Sequence, residues 1–152
     1  MDLVGAYTEN LNIFDTILVD KSYTEGNFSF ALEGKSSHLA YADESLNNII
    51  ESTAKNLKIN YTKGTTLCSE CFDYYVKNLD ELISRFPKDL QIIGAEMEAF
   101  ALFYTAKYLG KKAACLLTVV DSHYKKQEIS AEEREKSLND MITLSLESAI
   151  KL

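Results

Sequence analysis

Ala113-Ala114-Cys115-Leu116-Leu117-Thr118-Val119-Val120 carries no charge along its whole length and stops at Asp121. A half-exposed strand alternates apolar and polar residues; a run without that alternation fits a central parallel strand covered on both faces. Upstream of it, Leu90 to Gly94 reads as a short strand. The segment Glu96 to Leu109 places Met97, Phe100, Ala101, Tyr104, Ala106 and Tyr108 on overlapping faces, as in a largely buried helix closed by Gly110. Downstream, Ser130-Ala131-Glu132-Glu133 has the pattern of a capping box, in which serine and glutamate satisfy the first free amides of a helix. Leu138, Met141, Ile142, Leu146, Ala149 and Ile150 supply that helix with an apolar stripe. Strand and helix therefore alternate through the second half, and the pattern predicts an α/β sandwich with helices on both faces of a mixed sheet.

The first half is less regular. Phe14 to Val19 is a short β-branched run and predicts a strand, while Phe28-Ser29-Phe30-Ala31-Leu32 alternates weakly and predicts a second strand or an ordered loop. Asp43 opens a helix whose stripe is Leu46, Ile49, Ile50, Thr53, Ala54 and Leu57, ending near Lys58. Ile59 to Cys68 alternates as a strand, with Gly64 marking a bulge or a close approach. After a polar, aromatic segment from Ser69 to Asn78, Leu79 to Phe86 predicts a short helix stopped by Pro87, the chain's single proline.

Composition bounds the function. A chain of 152 residues, 46% apolar, can bury one core, and at this size roughly 70% of the unfolded surface is removed from water. With no linker or repeat, residues 1–152 are expected to form a single domain. A net charge of −7 leaves no basic face to displace phosphate counterions, so nucleic acid is not an expected partner. Neither a membrane-length apolar run nor a basic secretory start is present, which predicts a cytoplasmic protein with no membrane partner. Three cysteines, Cys68, Cys71 and Cys115, exclude complete disulfide pairing. Cys68 and Cys71 have zinc-ribbon spacing, but His38 and His123 stand apart and do not complete a ligand set, so no metal is expected.

The residues with chemistry gather at predicted element ends. Glu96, Met97 and Glu98 lie between a strand and a helix, Asp121 follows 23 residues after Glu98 at the end of the apolar run, and Arg134 stands 13 residues further on. Element ends of this kind are where open α/β sheets place their sites. Taken alone, the acids could equally complement the positive end of a helix dipole, Asp121 could close a strand, and Arg134 could be a solvated helix charge.

Together with their flanks, Ile93-Gly94-Ala95-Glu96-Met97-Glu98-Ala99 and Leu117-Thr118-Val119-Val120-Asp121 resemble the nucleoside phosphorylase superfamily. The tail from Ala131-Glu132-Glu133-Arg134 through Leu138-Asn139-Asp140-Met141-Ile142 is similar to the bacterial hexameric purine nucleoside phosphorylases. The resemblance implies a three-layer α/β sandwich around a mixed, mostly parallel twisted sheet. Because the match begins about a third of the way along the family's chain, near Val4-Gly5-Ala6, it also implies an N-terminally truncated member, the C-terminal two-thirds of the fold without its first strands. Such a sheet would expose an edge or face that something else must cover.

The implied reaction is reversible phosphorolysis of purine nucleosides, with a purine nucleoside and phosphate as substrates, no cofactor, and a homo-oligomer as the working form. By resemblance, Asp121 is the acid that protonates the leaving purine and Arg134 the arginine that swings toward it. A carboxyl group in that role must have its pKa raised by burial, or receive its proton as charge develops on the base. Glu98 matches the residue that accepts hydrogen bonds from the ribose, Met97 packs on the sugar, Glu96 stands near base and sugar, and Phe72 stacks on the purine, with Tyr74 or Tyr75 as substitutes. Val120 replaces a family serine and removes a hydroxyl that could reach the base.

The family's phosphate site is the larger departure. It is built from an N-terminal glycine-containing loop, arginines, a serine and residues lent by a neighbouring subunit, whereas the arginines here are Arg85 and Arg134 and no glycine-rich phosphate loop is present. The resemblance thus implies a pentosyltransferase whose anion site is missing. The alternatives are a catalytically silent nucleoside-binding or assembly module, or half of a split enzyme, and a purine nucleosidase that uses water.

Overall fold

The computed structural model describes residues 1–125, 130, 132–133 and 138–152. In chain order the elements are β1 (Asp2–Ala6), β2 (Thr16–Tyr23), α1 (Phe28–Glu33), β3 (Leu39–Tyr41), α2 (Glu44–Leu57), β4 (Thr62–Cys68), α3 (Leu79–Ser84), β5 (Ile92–Glu96), α4 (Ala99–Tyr108), β6 (Leu116–Ser122) and α5 (Asn139–Ala149). Among the described residues, no helix is long and apolar enough to cross a membrane.

The strands run in the order β3-β2-β4-β5-β1-β6, and β6 pairs again with β2, so five of the six strands form a closed ring. Parallel ladders join β1 to β6, β2 to β4 and β4 to β5; antiparallel ladders join β1 to β5, β2 to β3 and β2 to β6. Parallel and antiparallel pairings thus occur in equal number in this mixed sheet. Closure is local to one end: Thr16, Ile17 and Leu18 face Thr118, Leu117 and Leu116. The same side of β2 then hands its last residues to β3, with Lys21, Ser22 and Tyr23 facing Tyr41, Ala40 and Leu39. Of the edges expected to stand open, β3 keeps one among the described strands, since it pairs with β2 alone.

Alternate residues of a strand point to opposite faces, and here both faces are dry. Ile17, Val19, Leu117 and Val119 join one apolar cluster with Phe100 and Phe103 of α4, while Leu18 and Leu116 join another with Ile50 and Ala54 of α2 and Met141 and Leu144 of α5. This is why the run before Asp121 shows no polar alternation. Burial of Phe100 and Phe103, each 1% exposed, contributes on the order of 2–3 kcal/mol apiece. A third cluster places Tyr7, Leu67, Phe86 and Ala95 under α3.

Local signals explain most boundaries. Asp43 caps α2 by accepting the Leu46 N–H at 3.0 Å, and Lys58 ends the helix in the left-handed region at φ 58°. Asn78 caps α3 by accepting the Glu81 N–H at 3.1 Å. Ser130 and Glu133 make the reciprocal capping box: Ser130 Oγ accepts the Glu133 N–H at 3.2 Å and Glu133 Oε2 accepts the Ser130 N–H at 2.9 Å.

Three expectations change. Phe28 to Leu32 is helical, as α1, because Phe28 packs edge-on against Phe100 and Gly34 closes the turn at φ 73°. Glu96 ends β5 and the following helix begins only at Ala99. On α5 the buried line is Met141, Leu144 and Ser148, while Ile142 and Leu146, and Ile150 just past its end, are exposed.

Candidate functional site

β5 delivers Glu96 into the interior, 4% exposed. A buried carboxylate is costly unless its oxygens are occupied, and these are. Oε1 accepts the hydroxyls of Ser22 at 3.0 Å and Thr66 at 2.9 Å, and Oε2 accepts the backbone N–H groups of Glu98 at 2.8 Å and Ala99 at 2.6 Å. Burial pushes its pKa up, against the downward pull of those four donors. Glu96 therefore joins β2, β4 and the start of α4, and its carboxylate has no free lone-pair direction to offer a ligand in this arrangement.

Turning the chain at Glu96 sends Met97 and Glu98 outward. Met97 is 44% exposed, and Glu98 stands at the N-cap position of α4 without capping it. The Asp2 carboxylate of β1 lies beside Glu98; through a hydrogen bond first, then burial and charge repulsion, the Glu98 carboxyl is pushed up to about 7. Two acids from neighbouring strand ends thus crowd one point.

These residues open on a cleft of about 750 Å³ between the carboxyl ends of β5 and β6 and the segment after β4. Phe72, Glu96, Met97, Glu98, Val120 and Asp121 all line it. Phe72 is 55% exposed, with its ring meeting Tyr75 edge-on at 6.1 Å between centroids, which leaves aromatic surface for a flat ligand. Asp121 is exposed at the end of β6 and accepts the N–H of Ser122 at 2.7 Å. Tyr74, at 83% exposure, also lines the cleft, whereas Tyr75 does not. Arg134 lies outside the described residues. Another cleft, of about 590 Å³, opens between the end of β4 and α3 beside the Arg85–Glu25 ion pair, and none of these residues lines it.

Two further carboxyl groups line the same cleft without having been read from the sequence, Asp2 and Asp73. Asp73 stood beside Phe72 in an aromatic stretch and its acid was the available signal; Asp2, at the start of the chain, offered none. Charged lining among the described residues is acidic throughout: Asp2, Asp73, Glu96, Glu98 and Asp121. Burial pushes the Cys68 and Cys115 thiols up to about 12, which keeps these two protonated and poor nucleophiles.

The arrangement can hold a flat ring against Phe72, an apolar face against Met97, and hydroxyl donors against Glu98, with Asp121 in the same lining. All of it falls within residues 2–150, which match the model of the phosphorylase superfamily. The chain belongs to the phosphorylase superfamily. It is 31% identical over 148 residues to a DeoD-type purine nucleoside phosphorylase of Dichelobacter nodosus and 31% identical over 150 residues to one of Mycoplasma genitalium. Each alignment covers 97% of this chain and 61% of the relative. A DeoD-type protein of Listeria welshimeri is 44% identical over 72 residues, 47% of this chain and 31% of its own length. The chain thus spans about three fifths of the phosphorylases that it matches from end to end.

Proposed function

We propose that the cleft binds purine nucleosides and supports their phosphorolysis to free base and pentose 1-phosphate. The observation that carries this reading is the convergence of Phe72, the adjacent Met97 and Glu98, and Asp121, from three separate stretches of chain, on one cleft. In it the purine lies on Phe72, the sugar lies on Met97 with its hydroxyls donating to Glu98, and Asp121 faces the imidazole edge of the base. Cleavage leaves the electron pair of the glycosidic bond on the purine, which Asp121 neutralises by giving up a proton. Arg134 serves as the helper of Asp121, and Val120 closes the wall beside the base.

Phosphate enters as the oxygen nucleophile for the anomeric carbon and no cofactor takes part. The acidic lining among the described residues supplies no cation to hold it, so the phosphate site needs cationic groups from outside them. An oligomer is the working form in this reading; the exposed apolar residues Ile142 and Leu146 of α5, and Ile150 just after it, support it.

Release of hypoxanthine from inosine, followed by chromatography with and without phosphate, tests the proposal. Phosphate-dependent release that is lost in Asp121→Asn is expected. Release that ignores phosphate points to a nucleosidase, and absence of release with retained inosine binding to a silent nucleoside-binding module; either overturns phosphorolysis.

A further inference from the structure

The cleft holds a second carboxyl group close to Asp121 for which the proposed reaction has so far given no task. Asp73 follows Phe72 and is half-buried, unlike the exposed Asp121. Its Oδ1 accepts the hydroxyl of the buried Tyr7 at 2.7 Å. Its Oδ2 lies 3.5 Å from the point where a Cβ on Gly5 would stand. Gly5 is the residue of β1 that pairs with Asp121 across the parallel β1–β6 ladder. Neighbouring strands are about 4.8 Å apart; the β1–β6 register slips between Val4 and Gly5, which sets Gly5 beside Asp121, and Gly5, Asp73 and Asp121 all line the same cleft. Asp73 is therefore pinned by Tyr7 one strand away from Asp121, over a glycine that puts no side chain between them.

Charged and titratable groups face Asp73 from each side. Tyr7 comes from the end of β1, Asp121 from β6, and His123 from the segment after β6, where its Nε2 meets Asp80 of α3 at 2.7 Å. Burial first, then the charge of Asp121, raises the Asp73 carboxyl, while the Tyr7 hydrogen bond and His123 act in the opposite direction. Asp121 thus bears on the proton of Asp73 across the cleft that both line.

Resting on the reading of the cleft given above, we propose that Asp73 and Asp121 act as a carboxyl pair, with Asp73 the positioning residue that keeps a proton beside Asp121. When the glycosidic bond breaks, its electron pair goes to the purine, the purine takes the proton of Asp121, and a phosphate oxygen bonds to the anomeric carbon. The proton held on Asp73 then restores Asp121, and Asp73 recovers one from solvent.

The test needs no ligand. Carboxyl ¹³C shifts of Asp73 and Asp121 are followed against pH in the full chain and in Asp73→Asn, which keeps an oxygen acceptor for Tyr7, and Asp121→Asn. Coupling is reciprocal, so each substitution is expected to lower the titration midpoint of the remaining aspartate by the same amount, roughly half a unit or more. Midpoints that stay in place in both variants overturn the pair. A chain that cleaves no nucleoside but shows the reciprocal shift keeps the pair and loses the phosphorolysis reading. Cleavage without the shift does the reverse.

Discussion

Glu96 Oε2 accepts the backbone N–H of Ala99 at 2.6 Å, so the acid that ends β5 is also the group that starts α4. The other oxygen ties the same point to Ser22 of β2 and Thr66 of β4. Removing this carboxylate would leave two hydroxyls and two amides to find new partners. Glu96→Ala is expected to cost about 3–5 kcal/mol in urea denaturation, as when one partner of a buried charged network is lost. Glu96→Gln should cost less, about 1–2 kcal/mol, because its amide oxygen can serve the backbone donors while its NH₂ faces hydroxyls able to accept.

Glu98 predicts two opposite dependences on pH. Its carboxyl is raised from the ordinary 4.5 to about 7 by Asp2 and burial. A carboxyl raised on folding contributes stability that is fully present below its unfolded value and is lost as pH rises through the folded one. Denaturation across pH 4.5 to 7 should therefore show a declining contribution that Glu98→Gln abolishes. Inosine affinity should move the other way and improve above pH 7, because the ionised Glu98 is the acceptor for the sugar hydroxyls; calorimetry at pH 6 and pH 8 checks this.

Asp121 and Phe72 should separate chemistry from binding. Asp121→Asn is expected to lower nucleoside turnover by about two to four orders of magnitude with binding largely retained. Phe72→Ala should weaken inosine binding about fivefold, the loss of one stacking contact of roughly 1 kcal/mol, without altering the fold, since the ring is 55% exposed. Steady-state kinetics together with titration of inosine onto each variant distinguishes the two effects.

Gly94 is expected to tolerate no side chain. A Cβ there would stand 2.6 Å from the Gly5 carbonyl oxygen and 2.8 Å from Val4 Cγ2. The nearer atom is backbone and cannot turn aside, so β5 and β1 would have to part. Gly94→Ala should destabilise by about 1–3 kcal/mol or more. At Gly64 the crowding atom is Ile93 Cδ1, at 2.5 Å, which is the end of a flexible side chain. Gly64→Ala should cost less, and thermal melts of the two variants test that order.

The elements whose signals are local were legible in the sequence. Asp43 and the stripe that follows it predict α2, and the Ser130–Glu133 pattern predicts the cap that forms. The apolar run before Asp121 predicts a strand buried on both faces, and Leu117 and Leu116 do face different clusters. The inward turn of Glu96 was not legible, because its partners Ser22 and Thr66 lie 74 and 30 residues away and only the sheet brings them near. For the same reason the helix was expected to start at Glu96 rather than Ala99. Phe28 to Leu32 misled because two phenylalanines spaced by one residue imitate a strand, whereas the edge contact with Phe100 decides the outcome. Phe72, Glu96, Met97, Glu98, Val120 and Asp121, which line the cleft, were singled out through the family resemblance of their flanks, while Asp2 and Asp73 depend on which strands are neighbours.

Ring closure also sets the order in which this molecule can be assembled. Ile17 meets Leu117 across the β2–β6 seam, so contacts separated by about a hundred residues complete the sheet. During synthesis, β2 waits with one flank unpaired while the intervening strands and helices emerge, and the apolar face of α2 waits likewise for Met141 and Leu144 of α5. Distant pairings of this kind delay folding, and the partly built sheet is the species most exposed to other chains. The seam between residues 16–18 and 116–118 is thus where synthesis, rather than the finished structure, leaves the protein most vulnerable.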